Sequence, residues 1–275
     1  MKYFNYVKDG APRLGFFSDG RWLEAETPSG AAVCTDDLIT GAVSADSVRP
    51  GSELPPGFKF APAVAAPDKI LCAGLNYRDH AEETGGTVPE RPVIFAKLSS
   101  CIAACGEDIP KPPAVRCLDY EAELVVVVGK NAYNVTEEEA GSCIFGYACG
   151  NDLSARDAQF LSNQWFLGKS LPGFSPLGPL LVTKDEIDVS SLAISCRLNG
   201  VTVQDSNTSN MIFSPEQLLA FTSKYVALRP GDLIYTGTPA GVILGKPKGT
   251  RVWMKAGDTV TVEIEGLGKL TNRFV

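Results

Sequence analysis

The stretch that decides the fold reads DYEAELVVVVG at residues 119–129 and, after a short excursion, GNDLSARD at residues 150–157. An apolar run rich in valine and bounded by glycine is typical of a buried strand. Two carboxylates, Glu121 and Glu123, stand at the start of this run. Residues two apart in a strand point to the same side, so both negative charges are expected on one side of the strand.

Two like charges beside a core are costly to desolvate unless a cation lies between them. A third acid, Asp152, follows a Gly-Asn turn and is positioned to close such a site from a loop. We therefore predict a divalent metal held by Glu121, Glu123 and Asp152. The alternative is that the glutamates face solvent at a strand edge and Asp152 only caps a turn.

The composition is that of an ordinary globular chain, with 275 residues, 44% hydrophobic and 21% charged. Its 25 Lys and Arg against 32 Asp and Glu give a net charge of −7. No basic cluster interleaved with aromatic residues is present, which argues against a nucleic-acid partner. No apolar run approaches the roughly 20 residues of a membrane span, and the N-terminus lacks the apolar core of a secretory signal. We therefore expect a cytoplasmic protein without a membrane partner.

The single histidine, His80, restricts the metal chemistry. Zinc sites built on several histidines are excluded, whereas oxygen ligands favour magnesium, manganese or calcium. The eight cysteines are scattered without a Cys-x-x-Cys pair. We predict reduced thiols that act as small buried hydrophobic groups rather than zinc ligands or disulfides.

The chain is expected to form two parts. Residues 1–60 alternate short strand-like runs with turns at Asp9-Gly10 and Asp19-Gly20, which predicts a small antiparallel N-terminal β domain. A stretch rich in Pro and Gly between Arg49 and Asp68 is the predicted linker, and residues 61–275 would form the main domain. Because its pattern shows many short strands and few helices, the predicted class is a mixed, β-rich α+β fold.

One predicted helix runs from Asn76 to Glu83, with Asn76 as its N-cap and Gly85-Gly86 as its stop. His80 and Glu83 are three apart and share a face of this helix. The segment from Gly85 to Pro92 is punctuated by Gly and Pro, which suits a mobile lid over a site.

Three further helix starts carry the capping-box pattern, at Thr136, Ser154 and Ser214. The Asn-Gly pair at 199–200 lies between two strand-like runs and predicts a hairpin with a tight turn. A later strand is expected from Leu228 to Tyr235.

Five side chains outside the acidic trio are candidates for chemistry. Glu83 can orient His80 as a base, because a carboxylate on one ring nitrogen raises the basicity of the other. Lys169 stands among apolar neighbours, where it either faces a site or extends over an apolar surface. Arg156 and Gln159 are three apart on the helix after Asp152 and can face the same site. The alternative for His80 is a purely structural role.

The ordered motifs from about residue 69 to 274 resemble the fumarylacetoacetate hydrolase family. Six blocks match in order: Gly74–Glu83, Phe95–Lys97, Asp119–Glu123, Gly150–Asp157, Gly168–Ser170 and Gly231–Gly241. The resemblance implies a β-sandwich roll with short helices, usually a homodimer. It implies magnesium or manganese at Glu121, Glu123 and Asp152, and a water-activating pair at His80 and Glu83. The substrate-pocket residues implied are Lys169, Arg156, Gln159, Thr238 and, in the matching strand, Lys97.

The function expected from this resemblance is metal-dependent hydrolysis of a C–C bond in a 2,4-diketo acid of the acylpyruvate class, which releases pyruvate and a carboxylic acid. The same enolate chemistry serves decarboxylation or tautomerisation of a 2-keto diacid, such as oxaloacetate or a hydroxymuconate-type compound. A metal- or keto-acid-binding protein without activity is the alternative outside enzymes.

Overall fold

The computed structural model describes residues 1–28, 30–83 and 88–275. Strands make up most of its regular structure. The strands are β1 (Lys2–Lys8), β2 (Ala11–Ser18), β3 (Arg21–Glu26), β4 (Arg49–Glu53), β5 (Phe60–Ala61), β6 (Ile70–Gly74), β7 (Val93–Lys97), β8 (Ile102–Ala103), β9 (Asp108–Ile109), β10 (Leu118–Asp119), β11 (Ala122–Val128), β12 (Ile144–Asn151), β13 (Ser154–Ala155), β14 (Ser175–Pro176), β15 (Leu180–Thr183), β16 (Ala193–Leu198), β17 (Val201–Asn207), β18 (Leu233–Tyr235), β19 (Thr259–Ile264) and β20 (Gly268–Phe274).

The helices of the described residues are short. They are α1 (Thr35–Ile39), α2 (Arg78–Glu83), α3 (Glu137–Cys143), α4 (Arg156–Gln159), α5 (Phe166–Lys169) and α6 (Pro215–Ser223). Among them, none combines the length and apolar character needed to cross a membrane.

The larger sheet has β11 near its middle. Its strand order is β4-β3-β2-β1-β15-β12-β11-β18-β6-β7, with β5 also paired to β1. Residues Leu124–Val128 are fully buried, and alternate members of this run enter two different hydrophobic clusters. Because both faces of β11 are covered, its sequence is apolar throughout instead of alternating with polar residues.

A second sheet, in the order β17-β16-β19-β20-β9, packs on one side of the larger sheet. Ile194 and Val262 of this sheet share a buried cluster with Val126 of β11. The two layers and the short helices confirm the predicted β-rich mixed fold.

The N-terminal strands continue the larger sheet, because β1 pairs antiparallel with β15. Both predicted hairpin turns, at Asp9-Gly10 and Asp19-Gly20, connect neighbouring strands. The division of the chain at residue 60 stays a prediction, and the strands on its two sides are hydrogen-bonded within one sheet.

Most of the predicted helix caps and turns named next are present in the structure. Thr136 and Ser214 cap α3 and α6 with the expected reciprocal hydrogen bonds. The Asn199-Gly200 turn connects β16 and β17. The strand expected from Leu228 is shorter, since β18 begins only at Leu233.

Two predicted caps are wrong. The Asn76 side chain does not cap α2, because it donates to the carbonyls of Phe213 and Thr236 and accepts from the Phe213 N–H. Ser154 lies in β13 and its hydroxyl donates to the Asp152 carbonyl, so α4 begins without a side-chain cap. The predicted helix stop at Gly85-Gly86, and with it part of the predicted lid, lies outside the described residues.

Candidate active site

The acidic trio is assembled where β11 begins and β12 ends. These strands pair antiparallel, with Glu123 opposite Gly150, and the Asp152 N–H donates to the Glu121 carbonyl at 2.9 Å. One carboxylate oxygen from each of Glu121, Glu123 and Asp152 lies within 4.8 Å of the others. All three side chains are buried, so the structure does not support the alternative of glutamates facing solvent at a strand edge.

Three buried cations contact the trio. Lys169 Nζ lies 2.6 Å from Glu121 Oε2 and 2.7 Å from Asp152 Oδ2. Lys97 Nζ lies 2.5 Å from Asp152 Oδ1, and Arg156 Nη2 lies 2.6 Å from Glu121 Oε1. These pairs offset the cost of removing the charges from water.

Glu123 is the exception in this network. Its Oε2 accepts the Gly237 N–H at 2.7 Å, and no Lys or Arg of the described ranges forms an ion pair with it. Burial, together with the charges of Asp152 and Glu121, raises the pKa of Glu123 well above its usual range. Glu121 behaves in the opposite way: burial would raise its pKa, but Lys169 and Arg156 lower it to about 2.

The residues fit a divalent cation. Glu123, a buried carboxylate without a cationic partner among the described residues, lies beside two other carboxylates. A metal ion would supply the positive charge that this arrangement lacks. Carboxylate oxygens are the ligands that magnesium and manganese prefer, and three of them leave octahedral positions for water or substrate.

Gly237 holds its N–H against Glu123 by a close approach of the backbone. Its φ is +95°, and a Cβ at this position would lie 2.7 Å from the Asn76 Cβ. Both features require glycine. Asn76 in turn bonds the Thr236 carbonyl at 2.7 Å, so this buried amide supports the turn next to the trio.

His80 and Glu83 interact along one face of α2, as predicted. His80 Nδ1 lies 3.3 Å from Glu83 Oε2, and Glu83 also accepts the Gly241 N–H at 3.1 Å. Because an ionised carboxylate only accepts, this contact places a hydrogen on Nδ1 and leaves Nε2 as the basic nitrogen.

A cavity of about 150 Å³ lies between these groups. Eight of the predicted site residues line it: His80, Glu121, Glu123, Asp152, Arg156, Gln159, Lys169 and Thr238. Glu83 reaches it only through His80. Lys97 is outside the lining, because its ammonium is fully buried between Asp152 and the Phe174 carbonyl.

Lys169 faces the site and does not extend over a surface. Its side chain is 3% exposed, and its Nζ lies 5.2 Å from the Phe95 ring centroid. Phe95 packs edge-on against Trp165, with ring centroids 5.3 Å apart. Phe95 and Trp165 thus form an apolar wall beside the ammonium, and Trp165 is one of the apolar residues near Lys169 in the sequence.

Sequence reasoning missed Asp119 and Gln204. Asp119 Oδ2 accepts from Arg156 Nε at 2.9 Å, and its two oxygens also accept the backbone N–H groups of Ile243 and Leu244. Asp119 opens the stretch that decides the fold, so its place in that motif was a usable signal. No local pattern marks Gln204, which reaches the site from the second sheet.

Arg156 mainly supports other side chains of the site and is less available to bind the substrate. Its Nε and Nη2 bond Asp119 and Glu121, and its Nη1 donates to Gln159 Oε1 at 2.9 Å. Because the oxygen of Gln159 is engaged by Arg156, its amide N–H groups are the atoms that can face the cavity.

The chain is similar to a known protein family and to solved structures. The family model described as fumarylacetoacetate (FAA) hydrolase C-terminal matches residues 69–275. A curated relative from Rattus norvegicus, named as a mitochondrial oxaloacetate tautomerase, is 45% identical over 219 residues, which are 78% of this chain and 69% of the relative.

Two solved structures are similar over most of the chain. A fumarylacetoacetate hydrolase from Exiguobacterium antarcticum has a TM-score of 0.89 at 33% identity, with 100% of this chain and 99% of that chain covered. A fumarylpyruvate hydrolase from Pseudomonas aeruginosa, in complex with Mn²⁺ and pyruvate, has a TM-score of 0.69 at 30% identity and covers 76% of this chain and 90% of that chain.

Proposed function

Because the chain belongs to the fumarylacetoacetate hydrolase family, we propose that it is a divalent-metal-dependent tautomerase of a 2-keto diacid of the oxaloacetate class. The name of the relative that is 45% identical supports this reading, which the sequence left as the alternative to C–C hydrolysis. The preference between the two reactions is therefore reversed relative to the sequence-based expectation.

One observation carries the proposal: a single small cavity has the acidic trio on one wall and His80 on another. Glu121, Glu123 and Asp152 would hold the ion. When bound there, the ion supplies Lewis-acid stabilisation of negative charge on a keto oxygen. Lys169 adds a buried positive charge, which favours a dianionic substrate in a protein of net charge −7.

The chain's own residues account for the proton movement. His80 Nε2, oriented through Glu83, takes a proton from the C3 methylene of the keto form. The electron pair of the C–H bond becomes the C2–C3 double bond, and the C2 carbonyl electrons move to oxygen. His80 then delivers the proton to that oxygen, which gives the enol with no net change of atoms. The reverse path returns the keto form.

Hydrolysis is the second candidate, favoured by the same His80–Glu83 contact and by the similarity to a fumarylpyruvate hydrolase. In that reaction His80 removes a proton from water, and the resulting hydroxide adds to the 4-keto carbon of a 2,4-diketo acid. The C3–C4 bond then breaks, and its electron pair leaves as the enolate of pyruvate.

The test compares these reactions on one preparation of protein. With Mg²⁺ or Mn²⁺ present, enol oxaloacetate is added and its ultraviolet absorbance is followed while total oxaloacetate and pyruvate are measured separately. The tautomerase proposal expects the enol absorbance to fall faster than with metal alone, at constant total oxaloacetate and without pyruvate. Pyruvate formed from oxaloacetate indicates decarboxylation, and pyruvate formed faster from a panel of acylpyruvates indicates hydrolysis.

His80→Ala separates an enzyme from a binding protein. We expect its rate to fall at least ~100-fold, the lower range for a positioned general base. Equal rates for His80→Ala and the wild-type chain would refute catalysis at this site and favour the binding-protein alternative.

Two expectations from the sequence are carried forward as proposals. The first is a homodimer, which sedimentation of the purified chain tests. The second is a cytoplasmic location, for which cell fractionation should include mitochondria, because the relative in Rattus norvegicus is named as mitochondrial.

A further inference from the structure

Gln204 connects the second sheet to two walls of the site. It lies in β17 and is 1% exposed. Its Oε1 accepts the Ala122 N–H at 2.9 Å, and its Nε2 lies 2.8 Å from Thr238 Oγ1 and 2.9 Å from the Pro239 carbonyl. Ala122 stands between the two glutamates of the trio, and Thr238 lines the cavity.

The surroundings leave only one orientation for this amide. A backbone N–H only donates, so the atom facing Ala122 is the oxygen. A carbonyl only accepts, so the atom facing Pro239 is the nitrogen. One hydrogen of the Gln204 amide therefore goes to Pro239 and the other goes to the hydroxyl oxygen of Thr238.

This assignment determines what Thr238 can do. Because its oxygen already accepts from Gln204, its own hydrogen needs a different acceptor. Within the described ranges, no protein acceptor of the Thr238 hydroxyl is found, and the side chain borders the cavity. The hydroxyl hydrogen is thus left for a ligand.

The turn that carries Thr238 cannot move away from Gln204 easily. Gly241 closes the turn with φ of +105°, and a Cβ there would lie 2.1 Å from the Val203 carbonyl oxygen. On the other side, Gly237 is held against Glu123. The backbone on both sides of Thr238 is therefore in close contact with neighbouring strands.

We propose that Gln204 is a positioning residue that fixes the Thr238 hydroxyl as a hydrogen-bond donor to the substrate. This wall of the cavity then selects an acceptor oxygen, such as that of a carboxylate, and disfavours a donor group at the same place. The inference rests on the proposed function only in taking a 2-keto acid as the ligand.

The test is a double-substitution cycle with oxalate, a dianion that offers only acceptor oxygens. Calorimetry in the presence of Mn²⁺ measures oxalate binding to the wild-type chain, Gln204→Met, Thr238→Val and the double variant. Each single substitution should weaken oxalate binding about tenfold, the loss expected for one hydrogen bond to a charged group. The double variant should bind like Thr238→Val alone, because Gln204 acts through the hydroxyl.

Two controls separate positioning from a general structural effect. Mn²⁺ binding without oxalate should change less than about twofold in Gln204→Met, because the three carboxylates are untouched. Thr238→Ser keeps the hydroxyl, so it should retain tight oxalate binding and remain sensitive to Gln204→Met. In turnover of the keto acid, the effect should appear in KM more than in kcat.

Gln204→Met leaves two buried backbone groups without partners, so a second variant is required if it does not fold. Gln204→Glu keeps the shape and an acceptor for Ala122. Its added charge weakens oxalate binding with or without Thr238, so the cycle cancels that part and retains the coupling.

Additive losses in the cycle, or a parallel loss of Mn²⁺ affinity, would overturn the inference. If the wild-type chain binds oxalate but does not tautomerise oxaloacetate, the proposed function fails and the cycle still decides the role of Gln204. If turnover is present but the losses add, only this inference fails. No oxalate binding by the wild-type chain in the presence of Mn²⁺ would overturn this inference, whereas turnover of oxaloacetate would still decide the proposed function.

Discussion

Replacing Glu123 by glutamine tests the predicted metal site at the carboxylate that has no cationic partner in the described part of the chain. Glu123→Gln keeps the shape of the side chain and an oxygen that can accept the Gly237 N–H. It removes one negative charge beside Glu121 and Asp152. Without metal, the variant should be at least as stable as the wild-type chain, because a neutral amide avoids the cost of a buried carboxylate beside two others. With metal, it should bind the ion more weakly.

The size of the effect follows from binding linkage. A ligand present at 100 times its dissociation constant stabilises the folded state by about 2.7 kcal/mol. Replacing a residue that only supports a metal ligand typically weakens metal binding about 10- to 100-fold. Replacing a charged ligand itself should therefore weaken metal binding at least ~100-fold. At the same metal concentration, the stabilisation then falls to about 0.4 kcal/mol. For a chain of this size, the difference corresponds to a metal-induced rise in Tm that is smaller by about 4 °C.

Thermal melts with and without Mn²⁺ measure this quantity, and calorimetry gives the dissociation constants. Glu139→Gln is the matched control, because it makes the same change of charge at an exposed helix start and glutamine still serves in the capping box. A metal-induced shift that is equal in Glu123→Gln and in the wild-type chain would refute the assignment of Glu123 as a ligand.

Two further substitutions test the support of the site. Lys97→Met should lower the free energy of unfolding by about 3–5 kcal/mol, because it leaves a buried Asp152 oxygen without its cation. Urea unfolding measures this free energy. A loss below about 1 kcal/mol would contradict the assigned contact. Gly237→Ala should weaken Mn²⁺ binding, since the new Cβ meets Asn76 and displaces the N–H from Glu123. In a calorimetric titration, Gly200→Ala serves as its control at an open turn with a similar positive φ, and equal Mn²⁺ affinities of the two variants would contradict the role of Gly237.

Features that depend on neighbours along the chain were predictable. The capping boxes at Thr136 and Ser214 and the turn at Asn199-Gly200 involve residues within four positions of each other, so the sequence contains the whole interaction. The apolar run of β11 predicted a buried strand for the same reason, because its periodicity reflects burial on both faces. The cost of two glutamates, two positions apart at the start of this strand, pointed to the acidic trio.

Predictions about the partners of single polar side chains were less often correct. Asn76 precedes a helix and has the chemistry of a cap, yet the carbonyls it bonds belong to residues 137 and 160 positions away. Lys97 was assigned to the substrate pocket, yet its partner is Asp152 in the loop that follows β12. In each case the side chain bonds a group brought to it by another part of the chain.

The sequence by itself therefore determined the strand-rich class, the turns, two of the helix caps and the composition of the acidic trio. Only the tertiary structure decided that Asp119 holds Arg156, that Gln204 orients Thr238 and that the N-terminal strands extend the larger sheet. The physical reason is that a buried polar group must be satisfied by whichever partner the packing of distant elements places beside it. The sequence indicates that a buried polar group needs a partner, and only the fold shows which residue that partner is.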